Sequence, residues 1–86
     1  MADITIYSTD VCPYCVRAKD LLTRKGHDDF KVINVSDDPA LREEMIEKAG
    51  GKRTVPQIFI NGTHVGGFDD MNALDQQGKL DDLLAG

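Results

Sequence analysis

Asn61-Gly62, with Gln57-Ile58-Phe59-Ile60 on one side and Thr63-His64-Val65 on the other, constrains this chain's fold more than any other short stretch. A two-residue loop between paired strands needs positive φ at both central positions, which Asn and Gly tolerate, and its twist then matches that of the strands. An antiparallel hairpin is predicted there. Because a lone hairpin is marginal in water, the rest of the chain must supply neighbours for it.

Those neighbours are legible. Ile4 and Ile6 alternate with Thr5 and Tyr7, a period of two that predicts a first strand, and Ser8 to Val11 follow as a loop. From Pro13 the period turns helical, with Cys15, Ala18 and Leu22 on one stripe widened by Leu21, and Gly26 as the stop. Phe30 to Val35 reads as a second strand. Asp38-Pro39 then supplies an N-cap and a proline for the first helical turn. Leu41, Met45, Ile46 and Ala49 mark the buried stripe of that helix, Glu44 and Lys48 pair outside it, and Gly50-Gly51 end it. After the hairpin, Gly66-Gly67 breaks the pattern, and Asp69 or Asp70 is expected to cap a third helix over Met71 to Gln77. Leu80, Leu83 and Leu84 suggest a final apolar turn.

The predicted order is β-α-β-α-β-β-α, an α/β fold. A right-handed βαβ crossover makes strands one and two parallel, and the hairpin adds antiparallel neighbours, giving a mixed four-stranded sheet flanked by helices. A chain of 86 residues buries only about 60% or a little more of its unfolded surface, too little for two cores, so one domain over 1–86 is expected. No repeat, linker or low-complexity segment interrupts it. Composition narrows the function. A net charge of −5 argues against phosphate-backbone binding, which needs concentrated Lys and Arg, so nucleic acid is not expected as a partner. No apolar run approaches the ~20 residues of a membrane span, and the opening residues do not resemble an export signal, so a cytoplasmic protein without membrane contact is expected.

The chemistry lies in Cys12-Pro13-Tyr14-Cys15. Two cysteines three positions apart close a trivial loop and make a poor structural staple; the spacing suits redox chemistry or half of a metal site. The other potential zinc ligands are His27 and His64, far apart and without paired spacing, which argues against metal. A redox cysteine must react as thiolate. Cys12 falls at the N-cap of the first helix, where unpaired N–H groups and the positive dipole end stabilise an anion. Cys15, one turn on, is expected to be buried and protonated. Cys12 is therefore the attacking thiol, and Cys15 the one that resolves the mixed disulfide by attacking Cys12. Pro13 keeps the turn stiff.

With Thr54-Val55-Pro56 before a strand and Gly66-Gly67-Phe68-Asp69-Asp70 before a helix, these cysteines resemble the dithiol glutaredoxins over essentially the whole chain. Arg17-Ala18-Lys19 and Arg42-Glu43-Glu44-Met45-Ile46 are also family-like. The resemblance implies a thioredoxin-like fold and a glutathione-dependent thiol–disulfide oxidoreductase, with Cys12 and Cys15 catalytic and a glutathione groove beside Cys12. It implies a cis Val55–Pro56 bond that turns the Val55 N–H and C=O outward to pair with a bound cysteinyl backbone, although Pro56 could also simply start a strand. Gly67, Phe68 and Asp69 fall where relatives hold the γ-glutamyl end, with Asp69 and Asp70 competing for cap and ligand roles. Tyr14 reads as a groove wall, Thr54 as one of the glutathione-binding residues, and Lys52 and Arg53 as basic partners for the glycyl carboxylate or as a solvated loop. His64 and His27 read as surface histidines.

No tightly bound cofactor is implied. Glutathione is the reducing co-substrate, and the expected partners are disulfide-bonded or glutathionylated proteins, ribonucleotide reductase among the candidates, met by a monomer. Two alternatives stand beside this. One is an iron–sulfur-cluster-binding glutaredoxin, against which Pro13 and the second cysteine count. The other is a thioredoxin-like donor recharged by a flavoprotein reductase, against which the Gly66 to Asp70 motif counts. One departure from the family pattern matters: many dithiol members carry a lysine three positions before the first cysteine, where this chain has Thr9, followed by Asp10. A carboxylate so near Cys12 opposes its thiolate unless it turns to solvent or pairs with Arg17 or Lys19.

Overall fold

The computed structural model of the chain describes residues 2–85, so the two outermost residues of the expected 1–86 domain lie outside the described residues. Its elements are β1 (Ile4–Ser8), α1 (Pro13–Arg24), β2 (Lys31–Asn34), α2 (Pro39–Lys48), β3 (Gln57–Ile60), β4 (Thr63–Gly66), α3 (Phe68–Gln76) and α4 (Leu80–Leu84). The strands form one sheet in the order β2-β1-β3-β4, with β1 and β2 parallel and the other pairs antiparallel. Among the described residues, no helix is long and apolar enough to cross a membrane.

The hairpin is built as its turn chemistry requires. Asn61 has φ 51° and Gly62 φ 83°, the paired positive values of a two-residue turn, and Asn61 is further held by a bond from its Nδ2 to the Leu83 carbonyl at 2.8 Å. β3 then pairs with β1 so that Ile4 faces Ile60 and Ile6 faces Ile58. On that face these four residues pack with Ala18, Leu21 and Leu22 of α1, Met71 of α3, and Leu80 and Leu84 of α4. Side chains alternate across a strand, so Tyr7 points to the opposite face, where it meets Val35 and Met45 with Phe59, Ile33, Leu41 and Ile46 around them. α2 covers this second face.

Three expectations are corrected. The second strand is two residues shorter than Phe30 to Val35; Phe30 packs on the first core, and Val35, though outside the strand, still donates its N–H to the Ser8 carbonyl at 2.9 Å. The third helix begins at Phe68, ahead of both aspartates, with Gly67 as its N-cap. The final apolar turn is a separate helix, α4, because α3 stops at Gly78 (φ 74°) and Lys79 N–H closes the end onto the Leu74 carbonyl at 2.9 Å.

Two polar clusters tie elements together. The Tyr7 hydroxyl, buried under α2, donates to Glu44 Oε2 at 2.9 Å and accepts from Lys48 Nζ at 3.5 Å. Lys25, at the end of α1, pairs with Asp75 at 2.6 Å and Asp81 at 3.0 Å, joining α1 to α3 and α4. Burial and the neighbouring Glu44 raise the Tyr7 phenol above its ordinary 10.0, and the bonds to Asp75 and Asp81 raise Lys25 above its ordinary 10.5. Both groups hold their protons more tightly folded than unfolded. Their contributions are complete below those ordinary values and fade as pH rises through the higher folded ones. Urea unfolding should therefore show stability falling above pH 10, with a shallower fall in both Tyr7→Phe and Lys25→Met; slopes identical to wild type in both would place the alkaline loss elsewhere.

Candidate active site

β1 delivers the chain to the cysteines. Past Ser8 the loop Thr9 to Val11 is pinned to the segment after β2: Asp10 N–H donates to Ser36 Oγ at 2.8 Å, Asn34 Nδ2 donates to the Asp10 carboxylate at 2.6 Å, and Ser36 N–H donates to Asn34 Oδ1 at 2.8 Å. The Asp10 carboxylate is thus taken up by Asn34. Neither Arg17 nor Lys19 holds it, and the Arg17 guanidinium instead lies 5.1 Å from the centre of the Tyr14 ring.

Cys12 follows as the N-cap of α1, in extended geometry (φ −153°, ψ 96°), and the Cys15 N–H donates to its Sγ at 3.2 Å. That N–H is one of the orphan donors of a helix start, directed at the sulfur that must carry negative charge when the bond to Cys15 is open. Pro13 takes the first helical position. The two cysteines are joined as a disulfide, with Cα atoms 5.2 Å apart. Their surroundings differ: Cys12 is half-buried, whereas Cys15 is 1% exposed. A partner sulfur can reach only the first. Around it, Val11, Tyr14 and Val16 expose apolar surface at 88, 50 and 56%.

A groove of about 320 Å³ opens beside the motif. Tyr14 forms one wall, tilted toward Phe68 of α3 at 6.4 Å between rings. Lys52, Thr54, Val55 and Pro56 line it as well, together with Gly67, Phe68, Asp69 and Asp70. Val55–Pro56 is cis, and among the described residues no hydrogen bond engages the Val55 N–H or C=O. The structure therefore gathers Tyr14, Lys52, Thr54, Val55, Pro56, Gly67, Phe68 and Asp69 around one cavity. Arg53, grouped with them from its position in the chain, does not line it, because successive side chains of an extended segment diverge.

The two aspartates divide their roles. Asp70, at the third helical position, reaches back to accept the Gly67 N–H at 3.0 Å, which caps α3 from inside the helix. Gly66, just before, has φ 113°, and a Cβ there would collide with the Asp70 carboxylate, so the cap depends on glycine at 66. Asp69 is exposed, and no hydrogen bond within the chain engages its carboxylate among the described residues. It stands free at the groove.

One groove residue escapes the sequence, and one histidine lies deeper than its surface reading. Gln57, read only as the start of a strand, is 1% exposed and also lines the groove. Its Nε2 donates to the Thr54 carbonyl at 2.9 Å and to Thr54 Oγ1 at 3.2 Å, while its Oε1 lies 2.7 Å from His64 Nε2. His64, read as a surface histidine, is half-buried and stacked on Phe59 at 4.9 Å. A polar side chain at the head of an otherwise apolar strand was the available signal.

The family model described as Glutaredoxin matches residues 4–65. A glutaredoxin of Pseudomonas aeruginosa is 55% identical over 85 residues, covering 99% of this chain and 99% of its own. Among solved structures, a Brucella melitensis glutaredoxin superposes with a TM-score of 0.83 at 55% identity, over 98% of this chain and 89% of that one. A buckwheat glutaredoxin in complex with glutathione superposes with a TM-score of 0.86 at 30% identity, over 98% and 77%. The division of labour between the aspartates has a direct test. Asp70→Ala should cost about 1 kcal/mol, the usual value of a helix cap, and lower the melting temperature, while Asp69→Ala leaves it unchanged; equal melting of the two would remove the cap assignment.

Proposed function

The chain belongs to the glutaredoxin family of thiol–disulfide oxidoreductases, and from that premise we propose that glutathione is its electron donor and occupies the groove beside Cys12. The observation that carries this reading is that Val55, whose N–H and C=O make no hydrogen bond among the described residues, lines the same cavity as Gly67 and Asp69. An extended cysteinyl residue can add to Val55 as a short strand pairs with an edge. The γ-glutamyl carboxylate then meets the N–H groups that open α3, its ammonium meets the uncommitted Asp69, and Lys52 takes the glycyl carboxylate. The buckwheat relative, solved in complex with glutathione, supports glutathione as the ligand.

Two routes follow. In the first, the Cys12 thiolate attacks the protein sulfur's partner in a glutathione mixed disulfide; the S–S bond breaks, the protein leaves as thiolate, and glutathione remains joined to Cys12. A second glutathione thiolate attacks that glutathione sulfur, releasing glutathione disulfide and restoring the Cys12 thiolate. In the second, Cys12 attacks a protein disulfide, and Cys15 then attacks Cys12, so that the protein leaves with two thiols and the enzyme closes its internal disulfide. Two glutathiones, oxidised to one disulfide, reopen it. No tightly bound cofactor enters either route. Exposed Val11, Tyr14 and Val16 around Cys12 suit contact with disulfide-bonded or glutathionylated proteins, in a cytoplasm where glutathione keeps thiols reduced.

A glutathione-coupled assay with a mixed disulfide and with a protein disulfide tests the reading. Cys12→Ser should abolish both reactions, whereas Cys15→Ser should keep mixed-disulfide reduction and lose protein-disulfide reduction. Activity surviving in Cys12→Ser would overturn the assignment of the attacking thiol.

A further inference from the structure

The groove wall has an unusual support. Residues 52–56 lie outside every helix and strand, between the end of α2 and the start of β3. Among the described residues, the only hydrogen bonds that tie this segment to the chain are the two from Gln57 to Thr54. Val55 packs on the second core and Pro56 is buried, but the hydrogen bonds that hold the exposed Thr54 beside them come from a single side-chain amide.

The donor and acceptor assignments in that support are forced. The Thr54 carbonyl only accepts, so the atom 2.9 Å from it is the amide nitrogen of Gln57, and its second hydrogen goes to Thr54 Oγ1 at 3.2 Å. The amide oxygen is left facing His64 at 2.7 Å, which requires that Nε2 of His64 carries a proton. Turning the amide over would set oxygen against the Thr54 carbonyl, an acceptor against an acceptor. Gln57 is 1% exposed, so water cannot take over either side. The imidazole is itself held, stacked on Phe59 at an interplanar angle of 30°. The strand register explains the reach: His64 lies opposite Phe59, and Gln57 is the same-face neighbour one pleat further on.

We infer that Gln57 is the positioning residue of the glutathione groove, and that His64, itself outside the groove, braces it by donating to the far side of its amide. This rests on the reading of the cavity as a glutathione site. The role is to hold Thr54, and through it Val55, where a cysteinyl main chain can pair; neither Gln57 nor His64 touches the reacting sulfurs.

The test measures mixed-disulfide reduction against the concentration of the glutathionylated substrate, with dithiothreitol reduction of the Cys12–Cys15 disulfide as a reaction that uses no groove. Gln57→Leu should raise KM about tenfold with kcat within about twofold, the pattern of lost binding common to ground and transition states. The ratio of glutathione-driven to dithiothreitol-driven turnover should fall with it. His64→Phe keeps the stack on Phe59 and removes only the donor, and should raise KM about threefold; the double variant should be no worse than Gln57→Leu, since one chain of contacts is being cut twice. In wild type, nitrogen-detected NMR should show His64 protonated at Nε2, and Gln57→Leu should release that preference. An unchanged KM in both variants, or fully additive effects in the double variant, would overturn the positioning role. Failure of wild type itself to saturate with the glutathionylated substrate would instead remove the glutathione reading.

Discussion

The antiparallel pairing of β1 with β3 is the contact from which the site follows. Because the strands run in opposite directions, the end of β1 lies beside the beginning of β3, with Tyr7 opposite Gln57. The loop that leads to Cys12 therefore leaves the sheet where Val55–Pro56 enters it. β4 returns antiparallel to β3, so its last residue, Gly66, lies opposite Ile58 at the same end, and Gly67 to Asp69 follow. Three segments that are up to 57 positions apart in the chain (Cys12 to Asp69) meet at one end of the sheet. No separate device is needed to gather them. The isoleucine pairs that fix this register, Ile4 with Ile60 and Ile6 with Ile58, are fully buried, and a slip by one residue would turn them to the other face.

Much of this was legible in the residues because it rests on local rules. Asn61-Gly62 announces its turn, Asp38-Pro39 its helix start, and the alternation at Ile4 to Tyr7 its strand, each through backbone preferences that need no knowledge of the rest. The cysteine motif was legible for the same reason, since Cys12 at an N-cap and Pro13 at the first helical position follow from where the helical period begins. What escaped depends on contacts between distant residues or on the direction of a side chain. The Gln57–His64 bond joins two strands across their register; the polar residue heading an apolar strand marks Gln57 as unusual but does not name its partner. Asp70 caps α3 from its third position, so a search for a cap residue just before the helix placed the boundary too late. Lys52 and Arg53 are alike in chemistry and adjacent, and only the path of the loop separates the one at the groove from the one outside it.

The polar groups near the site are mostly committed to structure. Asp10 is held by Asn34, Asp70 by the Gly67 N–H, Thr54 by Gln57, and no buried side-chain nitrogen or oxygen lacks a partner among the described residues. This sharpens the few that remain free. Asp69, Lys52 and the main chain of Val55 have hydrogen-bonding capacity left over at one cavity, which suits the proposed ligand with its two kinds of charge and its extended peptide backbone. The same committed network keeps a carboxylate next to Cys12 from being an unconstrained negative charge.

The chain has two tyrosines and no tryptophan. One, Tyr7, lies buried beneath α2 with its hydroxyl engaged by Glu44; the other, Tyr14, stands half-exposed between the two cysteines. The near-ultraviolet signal of the molecule is thereby divided between two rings with unrelated surroundings. Denaturant frees both rings from their folded neighbours, whereas a thiol reductant changes only the sulfurs on either side of Tyr14, so a change confined to that ring reports redox state without any added probe.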